Sequence, residues 1–242
     1  MPTKIAWADE SWNPVTGCTP IAEGCKNCYA KAMAARFWGT RPFNDVQFHP
    51  DRLDKPKHWK KPRRIFVCSM GDLFHSKVKQ GWRNHVWLKM MKNVRHTYIV
   101  LTKRPVLARE WTIEQYKKSR PVWPEHIHLG ISISTQAEAD EHIPQLLEIP
   151  AAVRIVSFEP AIEHVKFGRW LEQIDGVIMG CESGWGRRPF KMEWAQSMRD
   201  QCTAAGVPFF FKQAPNKHGR IVEMPELDGR VWDQLPERSV KK

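Results

Sequence analysis

Seven short runs, at residues 3–8, 65–69, 97–102, 127–132, 153–157, 176–180 and 207–211, are rich in β-branched and aromatic side chains, with little polar alternation. A strand that is apolar on both faces has to be covered on both, which points to a parallel sheet wrapped by helices. The segments between supply those helices: 25–38, closed by Gly39; 82–93; one opening at Arg104-Pro105, with proline in its first turn; 137–147; and 192–205, with Gly206 as its stop and Pro208 beyond. Alternation at this spacing predicts an α/β fold, a partial or nearly complete (β/α) TIM-like barrel of about six to seven parallel strands. Residues 1–242 read as a single domain, with 216–242 as a C-terminal extension past the barrel pattern. In that extension Ile221-Val222-Glu223 and Val231-Trp232 flank Leu227-Asp228-Gly229-Arg230, which reads as a short hairpin. Residues 40–64, with Pro42, Pro50, Pro56 and Pro62, are expected to be an excursion with little regular structure.

The first strand leads into Gly17-Cys18-Thr19-Pro20-Ile21-Ala22-Glu23-Gly24-Cys25-Lys26-Asn27-Cys28-Tyr29-Ala30, which places three cysteines within eleven residues, spaced C-x6-C-x2-C. Three thiolates this close can chelate a metal, one ligand short of a closed tetrahedral site. Structural zinc would need a fourth ligand such as His49 or His58, whereas a three-cysteine iron–sulfur cluster keeps one iron open to chemistry. Gly17 and Gly24, each just ahead of a cysteine, suit a backbone shaped to a ligand loop. Tyr29, directly after the last cysteine, is placed to shield a cluster or touch a bound ligand. Cys68 and Cys202 read as buried small hydrophobes.

The N-terminus Met1-Pro2-Thr3-Lys4 shows no apolar signal region, and no uninterrupted spanning segment follows. The expectation is a cytosolic chain without a membrane partner, in which the presence of six cysteines argues for metal binding and against a disulfide framework. Lys and Arg number 38 against 26 Asp and Glu, a net charge of +12 that favours polyanionic partners, nucleic acid above all. The basic stretch Lys55-Pro56-Lys57-His58-Trp59-Lys60-Lys61-Pro62-Arg63-Arg64 is the phosphate-contacting candidate.

In a (β/α) barrel the chemistry collects at the carboxyl ends of the strands. Those positions carry Asp9 and Glu10, Ser69-Met70-Gly71-Asp72, Lys103-Arg104, Ser132 and Ser134, Glu159, Cys181-Glu182-Ser183, and Lys212-Gln213. The glycine-rich turn from Gly180 to Arg188, which includes Trp185, suits backbone contact with an anionic ligand.

Further stretches complete a wider pattern: Trp12-Asn13-Pro14-Val15-Thr16-Gly17-Cys18, Val67-Cys68-Ser69-Met70-Gly71-Asp72-Leu73-Phe74, Leu101-Thr102-Lys103-Arg104-Pro105, Ser157-Phe158-Glu159-Pro160 and Gly206-Val207-Pro208-Phe209-Phe210-Phe211-Lys212-Gln213. Together with the cysteine loop they resemble the phage-associated three-cysteine-motif family, radical-SAM-like iron–sulfur proteins, over nearly the whole chain. The cysteine spacing departs from the C-x3-C-x2-C usual in radical S-adenosylmethionine (radical SAM) enzymes. The resemblance implies that Cys18, Cys25 and Cys28 bind a [4Fe–4S] cluster whose open iron chelates S-adenosylmethionine. It implies that Ser69, Met70, Gly71 and Asp72 form the turn for the methionine amino group, with Asp72 on its ammonium. Tyr29, Lys103, Arg104 and Ser132 complete the cofactor-binding set, and Glu159, Glu182 and Lys212 are the candidate catalytic side chains.

The implied reaction is reductive cleavage of S-adenosylmethionine to a 5′-deoxyadenosyl radical that modifies or repairs a nucleotide or nucleic acid. It calls for a reductant such as flavodoxin or ferredoxin, leaves a partner protein open, and would take place in the host cytoplasm for a phage-encoded chain. The alternative is a zinc-stabilised nucleic-acid-binding protein without turnover. A metal-dependent hydrolase built on Asp72, His75, Glu159 and Glu182 lacks a compact H-x-H or D-x-D ligand pair.

Overall fold

The computed structural model describes residues 3–119, 122–184 and 186–236. Its strands in chain order are β1 (Glu10–Trp12), β2 (Val15–Thr16), β3 (Gln47–Phe48), β4 (Arg64–Val67), β5 (Thr97–Thr102), β6 (Ile127–Ile133), β7 (Arg154–Phe158), β8 (Gly176–Gly180), β9 (Phe209–Pro215) and β10 (Ile221–Glu223). The helices are α1 (Tyr29–Phe37), α2 (Lys55–His58), α3 (Gln80–Lys92), α4 (Pro105–Ser119), α5 (Gln136–Leu147) and α6 (Met192–Ala205). Eight strands make one curled sheet in the order β1-β4-β5-β6-β7-β8-β9-β10, parallel from β1 to β9 and open at both edges. This is the expected partial TIM-like barrel, with each new parallel strand reached by a crossover.

Alternation along the strands separates two apolar faces. Tyr98, Val100, Val177, Met179, Phe209 and Phe211 belong to the large core, which Val86, Ala108, Ile143 and Met198 on α3 to α6 complete. Ile99, Ile178 and Phe210, one residue out of step, belong to a second cluster with Trp7 and Ile155. Neighbouring strand residues point to opposite faces, so the helices cover one side and the second cluster lines the concave side. Burial of each Phe or Ile in these layers is worth roughly 1.5–3 kcal/mol.

The N-terminal strand is displaced from its expected place. Residues 3–8 form no strand; Trp7 instead packs on Phe66, ring centroids 4.7 Å apart, as part of the concave cluster. Parallel pairing begins one step later, where Asp9 N donates to Arg64 O at 2.8 Å and Asp9 Oδ2 accepts from Arg64 N at 2.7 Å. Helix α1 likewise starts at Tyr29 and not at Cys25, because Glu23–Cys25 forms a separate 3-10 turn. The seven parallel strands match the expected six to seven, and β10 adds an antiparallel eighth at the far edge of the sheet.

In the C-terminal extension, Leu227 and Arg230 do close a turn through reciprocal backbone bonds. The 221–223 strand, however, pairs antiparallel with Gln213–Pro215 of β9 and not with Val231-Trp232; residues 232–234 bond instead to the Phe209–Phe211 part of β9. Residues 237–242 of the extension lie outside the described residues. The proline-rich excursion is more regular than expected: β3 pairs with β2, and α2 follows a 3-10 turn at Pro50–Arg52. Gly206, at φ 68°, ends α6 in the left-handed conformation that glycine adopts at little cost. Among the described residues no helix is long and apolar enough to cross a membrane.

Candidate active site

The cysteine loop crosses the carboxyl ends of the parallel strands and is fastened to them one after another. Gly17 N donates to Met70 O at 2.8 Å, and Gly17 forms an isolated parallel bridge with Gly71. The approach is close: a Cβ on Gly71 would lie 3.0 Å from Gly17 O, and one on Gly17, at φ 95°, would lie 2.4 Å from Asp45 O. Farther along, a Cβ on Gly24 would meet Ser134 Oγ at 2.1 Å and Pro160 Cδ at 3.1 Å, which seats the loop on the ends of β6 and β7. Tyr29 OH then donates to Ser69 O at 2.6 Å. Burial pushes the Tyr29 phenol pKa up, and nearby Cys28 and Glu159 add to the shift.

At the start of the loop the anchor is ionic. Arg104, on the approach to α4, pairs with Asp72 at 2.9 Å, with both side chains almost fully buried. The same guanidinium donates to Thr19 O at 2.8 Å, to Thr19 Oγ1 at 3.2 Å and to Cys18 Sγ at 3.4 Å. His75 Nδ1 accepts from Lys77 N at 3.0 Å, so the neutral ring carries its proton on Nε2 and donates to Thr19 Oγ1 at 2.8 Å. Burial, aided by Arg104, lowers the His75 pKa and favours that neutral form. Burial and Asp72 push the Cys18 thiol up to about 11, with Arg104 opposing.

At the end of the loop a second carboxylate does the holding. Glu182 Oε2 accepts from Asn27 Nδ2 at 2.9 Å and from Arg188 N at 2.7 Å, and its Oε1 pairs with the Arg188 guanidinium. Arg188 continues to Glu23 O at 2.9 Å. Burial alone would raise the Glu182 pKa, but the hydrogen bonds from Arg188 and Asn27 outweigh it and the net shift is downward.

Several expected roles change on this geometry. Asp72 accepts from Phe74 N at 2.9 Å, Thr102 Oγ1 at 2.8 Å, Lys103 N at 3.3 Å and Arg104 at 2.9 Å. A carboxylate offers about four acceptor positions, so Asp72 has none left for an ammonium ion. Ser69, Met70 and Gly71 serve as a fastening for the cysteine loop; Asn13 Oδ1 holds Met70 N at 2.9 Å from the end of β1. Arg104 is likewise committed to protein partners, and so is Arg188 of the glycine-rich turn, whose Trp185 lies outside the described residues. Asn13, Thr19, Asn27 and Thr102 were not foreseen. Their signal was faint: each is a short polar residue beside a motif, of the kind that serves turns as often as sites.

Other expected residues do come together. Lys212 and Glu159 form an ion pair. Glu159 continues the parity of Ile155, and Ser132 that of Gly130, which places both on the concave side of the sheet; the ion pair with Glu159 brings Lys212, at a bulge in β9, to the same side. Cys181 is buried beside Glu159, and its thiol is pushed up to about 12, mainly by burial. Lys103 Nζ is buried with no hydrogen-bond partner among the described residues.

Cys18, Cys25 and Cys28 are all free and half-buried. Among the described residues no three Cys, His, Asp or Glu side chains are gathered closely enough to hold a metal ion as they stand. Of the two histidines that a zinc site would draw on, His49 Nε2 is bonded to Thr16 Oγ1 at 2.8 Å and His58 is exposed on α2.

A family model described as "Protein of unknown function (DUF5131)" matches residues 2–236. The chain belongs to the DUF5131 family. No curated protein matches it significantly. Among solved structures the DUF5131 chain is similar to a spore photoproduct lyase complexed with dinucleoside spore photoproduct, at 11% identity and a TM-score of 0.47 over 91% of this chain and 69% of that one. It is also similar to a mutant of that lyase with bound AdoMet and dinucleoside spore photoproduct, at 12% identity and a TM-score of 0.47 with the same coverage.

Proposed function

We propose that the chain is a radical-SAM-like enzyme acting on a nucleotide or nucleic acid, with Cys18, Cys25 and Cys28 holding a [4Fe–4S] cluster beside S-adenosylmethionine. The observation that carries this reading is a loop with three free, half-buried thiols, laid across the carboxyl ends of a curled parallel sheet. The fit to a cluster rests on donor chemistry: sulfur-only donors on one short loop suit a soft iron–sulfur centre better than a hard cation. One-electron reduction of the sulfonium, giving a 5′-deoxyadenosyl radical, is the chemistry such a group supplies when bound.

The chain's own residues then divide the remaining work. Arg104 and Asp72 hold the start of the loop, and Glu182 with Arg188 holds its end, so that the sulfurs stay over the strand ends. Lys103, whose buried Nζ has no hydrogen-bond partner among the described residues, is the residue available for the cofactor carboxylate. Ser132 faces the same side for the ribose hydroxyls, and the Tyr29 ring walls the site while its hydroxyl is held by Ser69 O. Glu159 and Lys212 face the substrate, where the pair can donate and accept hydrogen bonds or pass a proton. The phage association and a flavodoxin or ferredoxin reductant come with the family resemblance and belong to the same proposal.

Anaerobic reconstitution with iron and sulfide tests it. The expected product is a brown protein with about four irons per chain that forms 5′-deoxyadenosine from S-adenosylmethionine and dithionite. Cys25→Ala is expected to lose both iron and product. A colourless protein with one zinc and no 5′-deoxyadenosine would overturn the reading.

A further inference from the structure

The face where the parallel strands begin, opposite the cysteine loop, carries two adjoining cavities. One, of about 610 Å³, is walled by Arg64, Arg230, Trp232 and Asp233 among others; the second, of about 350 Å³, is walled by Asp9, Arg63, Arg64 and Arg95. Arg64 lines both, so the two adjoin across its side chain along one basic track. Arg95 Nη1 donates to Lys60 O at 2.9 Å, which sets the exposed Lys60 and Lys61 alongside the second cavity.

Ion pairing divides the arginines: among the described residues Arg63, Arg64 and Arg230 of this groove fall in the unpaired part, as do Arg36, Arg83, Arg154, Arg169, Arg187 and Arg220 elsewhere. Arg41, Arg52, Arg104, Arg109, Arg188 and Arg199 each have a carboxylate within 4.0 Å. Among the described residues no carboxylate comes that close to the side chain of Arg63, Arg64 or Arg230, and Arg63 Nε is buried with no hydrogen-bond partner. Two carboxylates, Asp9 and Asp233, also line the groove, and Asp9 is engaged by Arg64 N at 2.7 Å. Arg109 Nε and Arg154 Nε are orphaned in the same way outside the groove, but Arg63 lines a cavity, where an outside acceptor can reach it.

We infer that this groove is a second binding site, which takes the phosphodiester backbone of a nucleic acid. Guanidinium groups match phosphate oxygens in pairs, and several along one track suit a polymer better than a lone phosphate. Bases are not read here by stacking. Trp232 has Arg230 over its ring at 4.3 Å and Arg199 at 5.6 Å, and Trp59 packs edge-on against His96 at 5.9 Å. The groove and the cysteine loop lie at opposite ends of the strands, so a polymer docked here leaves the proposed reaction site open. The inference extends the nucleic-acid part of the proposed function but does not depend on the cysteine chemistry.

Fluorescence anisotropy of the full chain with a labelled random-sequence DNA, duplex and single-stranded, tests it across a salt series. Wild type is expected to bind with affinity that falls steeply with salt. Arg63→Gln with Arg230→Gln should weaken binding by about tenfold or more and flatten the log–log salt slope for duplex by about 1.8, at roughly 0.9 per phosphate contact. Lys60→Glu with Lys61→Glu, which alters only exposed side chains, should weaken it in the same direction if the arginine variant fails to fold. 5′-Deoxyadenosine formation, measured on the same variants, should be unchanged. The inference is overturned if wild type fails to bind at low salt, if the folded groove variants bind like wild type, or if only changes at Lys26 and Lys31 on the cysteine-loop side weaken binding. Absence of 5′-deoxyadenosine in every sample would remove the enzyme reading and leave the binding result standing.

Discussion

Asp72–Arg104 and Glu159–Lys212 are both carboxylate–cation pairs toward the carboxyl ends of parallel strands, yet they face opposite sides of the sheet. The first is reached through Thr102, which shares the parity of Tyr98 and Val100 and so lies on the helix side. Its side chains are 6% and 7% exposed, and every acceptor position of the carboxylate is used inside the protein. The second continues the concave side, with side chains 15% and 16% exposed, and among the described residues no other side-chain hydrogen bond reaches either member. A saturated buried pair fixes architecture, because it has no valence left for a ligand. A pair with spare donors and acceptors, open to a concavity, can answer to something that binds.

Removing Arg104 should therefore have the largest effect on stability. Arg104→Ala leaves the Asp72 charge buried without its partner and frees Thr19, a change on the order of 3–5 kcal/mol in a urea titration. A loss below about 1 kcal/mol would put the pair with ordinary surface ion pairs and end the contrast. Lys212→Met should cost less, about 1–2 kcal/mol, because water reaches the remaining Glu159. Its larger effect should fall on chemistry: with iron content unchanged, turnover of substrate is expected to drop while uncoupled 5′-deoxyadenosine formation persists. A stability loss matching that of Arg104→Ala, with turnover intact, would make both pairs structural.

How far the sequence foretold this arrangement depends on the range of the interactions involved. Strands such as Thr97–Thr102 and Gly176–Gly180 were legible because an unbroken β-rich run has few other homes than a doubly covered sheet. The end of α6 was legible because Gly206 is a local stop signal. Residues 3–8 misled because Trp7 looks the same in a string whether it sits in a strand or plugs a concave face. The site shows the same division. Polar residues at strand ends could be read off, but whether Asp72 would face a ligand or Arg104 depends on the parity of Thr102 and on a loop whose contact points lie up to 165 positions away in sequence. Such long-range pairing leaves no periodic trace.

Glu182–Arg188 falls between the two pairs and gives the finest test of the contrast. Its carboxylate is 2% exposed and saturated, like Asp72, while its arginine, 24% exposed, stands at the open edge of the loop. Hydrogen bonds from Arg188 and Asn27 hold the carboxyl pKa below the ordinary value of 4.5 in the folded chain. The unfolded chain then binds the proton more readily, so the stability contributed by ionised Glu182 is present in full above about pH 4.5 and is lost as pH falls through the folded value. Melting curves of wild type and Glu182→Gln should differ most near neutrality, in favour of wild type, and converge in acid. A gap that stays constant with pH would mean that the carboxylate charge contributes nothing there. The end of the loop would then be held by shape and neutral hydrogen bonds alone, and only the Arg104 end would be an ionic anchor.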